Sequence, residues 1–330
     1  MKRFNDRRTF VGAALAGTAL AVSAPRAHAQ AQAWPARPIR LVVPFATGGG
    51  SDFIGRFMAQ RLGQSLGQPV VVENRPGAGS TLGIEMVVKS PPDGYTFGLI
   101  ASSYTVTPSL YRLRFDPVTD ITPVLQFSQG PMVVVVPKSL PVGSFTDLIA
   151  LARSRPGELN YASAGQGSIT HLACAYFAEL AGLRMTHVPY KGTGPALTDT
   201  MSGQTQLFFS STATALPHVQ SGALRALAVT TRERLAALAS IPTIAESGVP
   251  AYDVPLWHGM IGPAGISEAV VARLVTESRR TLALRETADQ LAQDGVAPAP
   301  DSTPDAFRER IRSEVAQWRG VIARAGIKLE

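Results

Sequence analysis

The amino-acid sequence predicts an α/β protein built in two halves, with largely parallel sheets that helices cover on both faces. Short β-branched segments alternate with segments of helical periodicity along most of the chain, and this order is typical of parallel sheets. Two glycine-rich turns, at 47–52 and 164–168, each stand between such a strand and a helix. The region 266–325 has an almost entirely helical pattern, and we expect it to pack on the first half.

The same patterns place the individual elements and the two lobes. Strands are predicted at 39–44, 70–73, 96–101, 132–137, 160–163, 186–189, 206–209 and 224–229, with clear helical patterns at 145–154, 195–202 and 270–284. We expect the first lobe at 30–130 together with 255–330, and the second lobe at 131–254. The chain therefore crosses between the lobes near 127–131 and again near 254–258.

Each glycine-rich turn has the features of an anion-binding site. Glycine lets the backbone approach a ligand closely, and the helix start behind the turn directs free N–H groups and a positive dipole end at that ligand. Neither turn contains Arg or Lys, so the donors are N–H groups, water and the hydroxyls of Thr47, Ser51, Ser168 and Thr170. Two such turns in separate halves suggest a cleft that holds a small anion from both sides.

The N-terminal 29 residues have the features of an export signal. A basic start is followed by the apolar stretch 10–22 and by the small-x-small cleavage site Ala27-His-Ala29. The apolar stretch is shorter than the roughly 20 residues that a membrane span needs. The pair Arg7-Arg8 resembles a twin-arginine signal, with ordinary secretion as the alternative. We expect cleavage near Ala29 and an exported, soluble mature protein.

Charge and cysteine content exclude several classes of protein. Residues 1–29 hold five basic side chains and one acidic side chain, so their removal lowers the formal net charge from +7 to +3. A nucleic-acid partner thereby loses its main support. Cys174 is the only cysteine, which excludes an intramolecular disulfide and a cysteine metal cluster. We expect it to be a small buried thiol.

Common catalytic and cofactor motifs are missing from the sequence. It has no Walker A loop, no Gly-x-Gly-x-x-Gly at either main turn and no Gly-x-Ser-x-Gly. The five histidines lack the spacing of metal ligands, so neither a metal nor a cofactor is expected. A Ser168–His171 nucleophile–base pair is conceivable, but a helix cap or an anion donor is the simpler interpretation of Ser168.

Nine segments in order along the mature chain carry a family resemblance. They are PIRLVVPF at 38–45, GGGSD at 48–52, VVVENRPGAG at 70–79, PDGY at 92–95, LNYASAG at 159–165, HVPYKG at 187–192, ALPH at 215–218, LRALAVT at 224–230 and PTIAE at 242–246. These segments resemble the Bug receptors, the extracytoplasmic binding proteins of tripartite tricarboxylate transporters. The resemblance implies a two-lobed periplasmic binding protein of the Venus-flytrap type (type II-like). Such a protein closes on a small carboxylate and delivers it to a membrane permease, most simply as a monomer.

Sequence and resemblance together indicate the residues that contact the carboxylate. The expected ligand-binding set is Phe45, Thr47, Gly50, Ser51, Asp52, Ser102, Tyr104, Gly165, Gly167, Ser168 and Ser210. Ser102 and Tyr104 follow a predicted strand, as a hydrogen-bond donor and a pocket wall, with ordinary packing as the alternative for Tyr104. Phe45 is either a pocket wall or core. Asp52 would repel an anion, so capping of the first helix is its favoured role.

Other candidates are assigned structural roles. The third glycine-rich segment, 75–80, resembles a hallmark of the family fold and is left outside the site. Trp257 and His258 lie near the second crossing, where packing of the hinge is favoured over lining of the cleft.

Two departures from the family pattern bear on the ligand. Many relatives carry an acidic residue after the strand at 206–209, where this chain has Ser210-Ser211. Because serine offers no charge partner to an amino group, we expect amine-free carboxylates, dicarboxylic or aromatic. Thr47 stands where relatives often have proline and adds a hydroxyl donor. A same-fold sensor that presents the carboxylate to a membrane signalling kinase, and an exported hydrolase or isomerase, are the alternative functions.

Overall fold

The computed structural model describes residues 34–48, 50–235, 238–293 and 295–328, so the predicted export signal and its cleavage site lie outside the described residues. The strands are β1 (Ile39–Val43), β2 (Val70–Asn74), β3 (Thr96–Ala101), β4 (Ile121–Pro137), β5 (Asn160–Ser163), β6 (Thr186–Pro189), β7 (Leu207–Ser211), β8 (Leu224–Val229), β9 (Pro255–Pro263) and β10 (Ala297–Pro298). The helices are α1 (Gly50–Leu66), α2 (Thr81–Val88), α3 (Thr107–Leu110), α4 (Phe145–Ser154), α5 (Ile169–Ala181), α6 (Thr193–Ser202), α7 (Thr212–Gln220), α8 (Glu268–Leu282), α9 (Arg285–Gln293) and α10 (Pro304–Ala325).

The strands form two sheets that share the long strand β4. The hydrogen-bonded order is β2-β1-β3-β9-β4-β7-β5-β6, with β10 and β8 also paired to β4. The strands β1–β3, β9 and β10 join the first part of β4, and β5–β8 join its second part. Each sheet is covered by helices on both faces, as an α/β fold requires.

Both sheets are mixed, whereas the sequence predicted largely parallel ones. Parallel pairing is confined to β1 with β2 and β3, and to β5 with β6 and β7. The remaining pairs are antiparallel: β9 with β3 and β4, and β4 with β7, β8 and β10. At 254–258, where β9 begins, the sequence indicated a crossing between the lobes and no strand. Prolines such as Pro255 and Pro263 are unusual in strands, so the segment lacks the alternating pattern by which a strand is recognised.

Four clusters of buried apolar side chains hold the sheets and helices together. One cluster packs α1 and α8 on the first sheet, and another covers the opposite face of that sheet. The second sheet has a large cluster with α4 and α5 on one face and a smaller one with α6 and α7 on the other.

Helix α10, within the segment 255–330 that the sequence analysis assigned to the first lobe, packs against both sheets. Thr303 caps the helix, with its side chain accepting the N–H of Ala306, and Pro304 follows as a favoured first residue. Phe307 lies in the cluster on the first sheet, whereas Trp318 and residues 321–322 lie in the large cluster on the second sheet. A helix of 22 residues is about 33 Å long, enough to reach both sheets.

Candidate functional site

The turn at 164–168 joins β5 to α5 and presents the N-terminus of that helix. Ser168 is the cap: its Oγ accepts the N–H of His171 at 3.3 Å and lies 3.0 Å from Oγ1 of Thr170. Thr170 Oγ1 in turn accepts the N–H of Ala164 at 2.9 Å. The N–H groups of Ile169 and Thr170 begin the helix and have no acceptor within it. Together with the helix dipole, they form a binding site for an anion.

Two stacked histidines support this turn. The Nδ1 of His171 accepts the N–H of Gly167 at 3.1 Å, and the rings of His171 and His187 are parallel, with centroids 3.6 Å apart. His187 Nε2 lies 2.6 Å from the Oγ of Ser163, which in turn accepts the N–H of Gly165. Burial lowers the pKa of His171 to about 3 and the pKa of His187 to about 4. Both rings are therefore neutral at neutral pH.

The same contacts argue against the Ser168–His171 catalytic pair. Ser168 Oγ bonds to the backbone N–H of His171, while the ring Nδ1 is occupied by the N–H of Gly167. A nucleophile would instead need a direct hydrogen bond to the imidazole ring. The geometry therefore favours the cap that the sequence suggested.

A buried carboxylate orders the first glycine-rich turn. Oδ2 of Asp52 accepts the N–H of Gly48 at 2.9 Å and the Nε of Arg56 at 3.0 Å, and Oδ1 accepts the Nδ2 of Asn74 at 2.8 Å. The Asn74 amide also donates to the carbonyl of Phe45 at 3.1 Å. Burial raises the pKa of Asp52, but hydrogen bonds from Arg56, Gly48 and Asn74 outweigh it and hold the pKa below its usual value. These contacts fit the structural role expected for Asp52.

The other predicted residues of the first turn differ in their surroundings. Ser51 Oγ lies 3.1 Å from Nε2 of His258, whose Nδ1 lies 3.2 Å from Ser128 Oγ. Burial lowers the pKa of His258 to about 4, so this Ser–His–Ser chain is uncharged at neutral pH. Thr47 and Gly50 are exposed. His258 thus joins the start of α1 to β4 and β9, as the hinge-packing interpretation expects.

A cavity of about 370 Å³ lies between the second turn and the connections that follow β1, β2 and β3. Its lining residues are Pro44, Phe45, Ala46, Pro76, Gly77, Gly79, Ser80, Ser103, Val106, Thr107, Leu110, Tyr111, Ala164, Gly165, Gln166, Gly167 and Ser168. Among the described residues, this lining includes no Asp, Glu, Lys or Arg. The groups it offers to an anion are N–H groups and hydroxyls rather than the partners of an ion pair.

The segment 75–80, which the sequence analysis left outside the site, lines this cavity. Pro76, Gly77, Gly79 and Ser80 all belong to the lining, and α2 begins directly behind them. Ala78 and Ser80 have left-handed backbone conformations, with φ of 46° and 81°. Residues with a Cβ adopt this conformation rarely, and such strain clusters at functional sites. The sequence signal was a third glycine-rich helix start, equivalent to the other two.

Tyr104 is a core residue and does not line the cavity, in contrast to its predicted role as a wall. It is 2% exposed, its hydroxyl donates to the carbonyl of Pro117 at 2.7 Å, and its ring belongs to a buried cluster. The wall is formed instead by Val106, Leu110 and Tyr111. The i, i+4 spacing of Val106 and Leu110 was the available signal, although spacing alone does not say what a short helix faces.

The remaining predicted residues divide between lining and supporting positions. Phe45, Gly165, Gly167 and Ser168 line the cavity. Ser102 is buried and lines a different cavity. Ser210 is buried in β7, and its Oγ donates to the carbonyl of Ser211 at 3.3 Å.

The cavity lined by Ser102 is larger, about 440 Å³, but its chemistry suits an anion less well. Its lining includes Arg232 and Arg310, each about 3.7 Å from an acid, Asp253 and Glu314 respectively. Burial raises the pKa of Glu314 to about 7. Ile169, at the start of α5, and Glu309 also belong to this lining. Because both arginines already face acids, and the uncharged cavity is bordered by the glycine-rich segments, we take the uncharged cavity as the candidate site.

Metal binding and membrane insertion have no support in the described part of the chain. Among residues 34–48, 50–235, 238–293 and 295–328, no group of three or more His, Cys, Asp and Glu side chains is arranged to hold a metal ion. None of the helices in these ranges is long and apolar enough to cross a membrane. Cys174 is buried, and burial raises its pKa.

An uncharged cavity bordered by strand ends and helix starts, within an α/β fold of two sheets, defines a two-lobed solute-binding protein. The chain matches the tripartite tricarboxylate transporter family receptor over residues 54–327 and belongs to this family. It is 36% identical to the UPF0065 protein in the tcbD-tcbE intergenic region of Pseudomonas sp. (strain P51), over 93% of this chain and 92% of that protein. It is 35% identical to protein BugT of Bordetella pertussis (strain Tohama I), over 96% of this chain and 98% of that protein.

Solved structures of family members have the same fold. R. palustris Rpa4515 with adipate has a TM-score of 0.76 and 37% identity, covering 90% of this chain and all of that one. The periplasmic binding protein BugD has a TM-score of 0.73 and 32% identity, with the same coverage. MatC (Rpa3494) from Rhodopseudomonas palustris with bound malate has a TM-score of 0.72 and 30% identity, covering 87% of this chain and 99% of that one.

Proposed function

We propose that this chain captures a small organic carboxylate in the uncharged cavity and delivers it to a membrane permease. The observation that carries the proposal is the N-terminus of α5, capped by Ser168, at the edge of a cavity without charged side chains. Charge-assisted hydrogen bonds from N–H groups contribute roughly 1.5–3 kcal/mol each, so a few of them support micromolar binding. The adipate and malate in two related structures support a carboxylate ligand.

In this proposal the carboxylate accepts from N–H groups at the start of α5, with Gly165, Gly167 and Ser168 forming the turn around it. Phe45 supplies part of the wall. Thr47, Gly50, Ser51 and Ser102 lie outside the lining of this cavity, so we propose that they contact the ligand only through water or after the lobes close. Asp52 and Ser210 act as supports.

Movement of one lobe against the other would open and close the cavity. The proposed lobes are 30–130 with 255–330, and 131–254, with the C-terminal part of α10 packed across to the second. Between them, β4 and β9 run antiparallel, with Gln129 paired with Trp257 and Pro131 with Pro255, and β10 pairs with β4 at Gln129. A small twist of these strands would rotate the lobes, and the ligand would favour the closed state by contacting both.

The finer parts of the proposal concern chemistry and location. The ligand is amine-free, dicarboxylic or aromatic, because the described residues that line the cavity include no acid to pair with an amino group. Ser210, which suggested this preference in the sequence, is buried outside the lining. It is bound without turnover, in the periplasm, by a monomer that then docks on the permease. Neither nucleic acid nor a membrane surface is a partner.

Thermal unfolding of the mature protein, residues 30–330, tests ligand binding. The protein is first unfolded and refolded to remove any co-purified ligand, and then screened against mono-, di- and tricarboxylates, aromatic acids and amino acids. At about 100 times its dissociation constant, a ligand stabilises the folded state by roughly 2.7 kcal/mol, which raises Tm by a few degrees. We expect the rise with amine-free carboxylates only.

Two serine variants show whether the ligand binds at the turn. Ser168→Ala should abolish the rise in Tm. Ser144 provides a matched control, because it caps α4 in the same way, accepting the N–H of Asp147 at 3.1 Å, but lies outside the cavity lining. Ser144→Ala should lower Tm and leave the ligand effect intact. No stabilisation by any carboxylate, with the protein folded, would contradict the proposal.

Uptake of a labelled ligand distinguishes a transport receptor from a same-fold sensor. Cells that carry the permease should lose uptake when the receptor is deleted and regain it with the wild-type chain, but not with Ser168→Ala. Unchanged uptake, together with ligand-dependent activation of a membrane kinase, would favour the sensor.

A further inference from the structure

Besides the turn at 164–168, the cavity has an apolar wall. Val106 is 2% exposed, while Leu110 and Tyr111 are half-buried and end the same short helix. The ring of Tyr111 packs directly on Gly79, where a Cβ would lie 2.6 Å from Tyr111 Cε2. Phe45 completes this surface from the first turn. A ligand bound at α5 therefore extends over aliphatic and aromatic side chains.

The polar side chains of this cavity are uncharged. The Thr107 hydroxyl donates to the carbonyl of Tyr104 at 2.7 Å, whereas the hydroxyls of Ser80, Ser103 and Tyr111 and the amide of Gln166 also belong to the lining. Among the described residues, the lining includes neither an acid nor a base. An ammonium group on the body of the ligand would therefore lose its water there without gaining a carboxylate partner.

Resting on the proposed function, we infer that the ligand is a carboxylate with an apolar body, an aromatic ring or a saturated chain, that is long enough to reach Leu110 and Tyr111, rather than a short or aminated acid. The carboxylate binds at the start of α5, and the body packs on Val106, Leu110 and Tyr111. Leu110 and Tyr111 are thus specificity-determining residues. They select by burial of apolar surface, which rewards each methylene group that leaves water.

Calorimetric titration of the refolded, ligand-free protein tests this inference with two sets of acids. The first set is butyrate, hexanoate and octanoate with succinate, adipate and suberate, so that chain length changes alone. Each methylene should tighten binding about threefold to fourfold until the cavity is filled. The second set pairs acids that differ by one amino group: succinate with aspartate, and hexanoate with 6-aminohexanoate. The aminated member should bind at least about fivefold more weakly, because the described lining offers its ammonium group no acid.

Variants of the wall connect the preference to these residues. Leu110→Ser should flatten the dependence on chain length while leaving the binding of the shortest acids nearly unchanged. Tyr111→Ser provides a second, independent change in the same wall. Leu284 is 45% exposed and outside the cavity lining, so Leu284→Ser is the matched control and should keep the wild-type dependence.

Two failures are distinguishable. If aspartate binds more tightly than succinate, or affinity is independent of chain length, while Ser168→Ala still abolishes binding, this inference is wrong and the proposed function stands. If no acid of either set binds, the proposed function itself fails.

Discussion

The backbone N–H of Gly167 donates to Nδ1 of His171 at 3.1 Å, which connects the turn at 164–168 to α5, the helix that follows it. Because Nδ1 is the acceptor, His171 carries its proton on Nε2. The ring also stacks on His187, which lies 2.6 Å from Ser163 at the end of β5. A neutral histidine pair thus holds a glycine-rich backbone in one conformation, which reduces the ordering cost of binding.

Removal of this acceptor should weaken ligand binding. His171→Phe keeps a stacked ring but leaves the N–H of Gly167 without its partner, so we expect about tenfold weaker binding of adipate. His171→Asn restores an acceptor near the position of Nδ1 and should recover much of the loss. Calorimetric titration measures both, and His218→Phe, on α7, is the control. Unchanged affinity in a folded His171→Phe protein would refute this positioning role.

Stability should fall as the pH drops from about 6.5 towards 4. Burial lowers the pKa of His171 from 6.5 to about 3, so the unfolded chain binds a proton at this residue that the folded protein does not. The stabilising contribution of the neutral ring is complete above pH 6.5 and is lost as the pH falls. For a group 3% exposed, the slope reaches about 1.4 kcal/mol per pH unit.

Urea unfolding from pH 4 to 7 measures this slope in the wild type and in His171→Asn. The variant lacks the titrating ring, so its free energy of unfolding should change less steeply with pH. His187 and His258 titrate in both proteins and cancel in the comparison. Parallel curves would mean that His171 is not held neutral in the folded protein.

Asp52→Ala should destabilise the protein by about 2–3 kcal/mol, because the N–H of Gly48 and the amide of Asn74 both lose their acceptor. Arg56→Gln removes the ion pair with Asp52 and an exposed hydrogen bond to Asn74 Oδ1; because the Arg56 side chain is 51% exposed, the change should cost less than about 1 kcal/mol. Chemical denaturation of the two variants measures the difference. Equal losses would show that the ion pair, and not the turn, is what Asp52 stabilises.

The ionised form of Glu314 should lower the free energy of unfolding at high pH. Burial raises its pKa from 4.5 to about 7, although Arg310, Thr105 and Trp257 favour the charged form. Its folded pKa exceeds the unfolded value, so its contribution is complete below pH 4.5 and is lost as the pH rises to about 7.

The variant Glu314→Gln isolates this effect, since the amide oxygen still accepts from Trp257 and does not titrate. The wild-type free energy of unfolding minus that of the variant should fall between pH 5 and 7, by up to about 1.4 kcal/mol per pH unit, and level off above pH 7. A difference that rises over this range would indicate that Arg310 keeps Glu314 charged.

Local signals in the sequence were sufficient for many elements. The predicted strands 160–163, 186–189 and 224–229 and the predicted helix 145–154 coincide with β5, β6, β8 and α4. Each is short, apolar and bounded by turn residues. Strand β9 and the first part of β4 contain prolines and glycines, and their pairing depends on partners far along the chain. Periodicity within one segment does not report such pairing.

Some residues of the candidate site were likewise predictable from local sequence features, and others were not. Ser168 and its glycines were recognisable because a cap and a flexible turn are local features. The wall of Val106, Leu110 and Tyr111 was not, because it depends on how α3 meets the segment 75–80 in three dimensions. The sequence analysis proposed Tyr104 as the wall instead. This residue lies two positions before Val106, and its side chain is buried in the core.

A crystal structure of the refolded protein with adipate tests the central claim most directly. The account predicts one carboxylate oxygen within about 3 Å of the N–H groups of Ile169 or Thr170, directly or through one water. The methylene chain should then lie on Leu110 and Tyr111. Adipate bound between Arg232 and Arg310 in the larger cavity, with the turn at 164–168 unoccupied, would contradict the account.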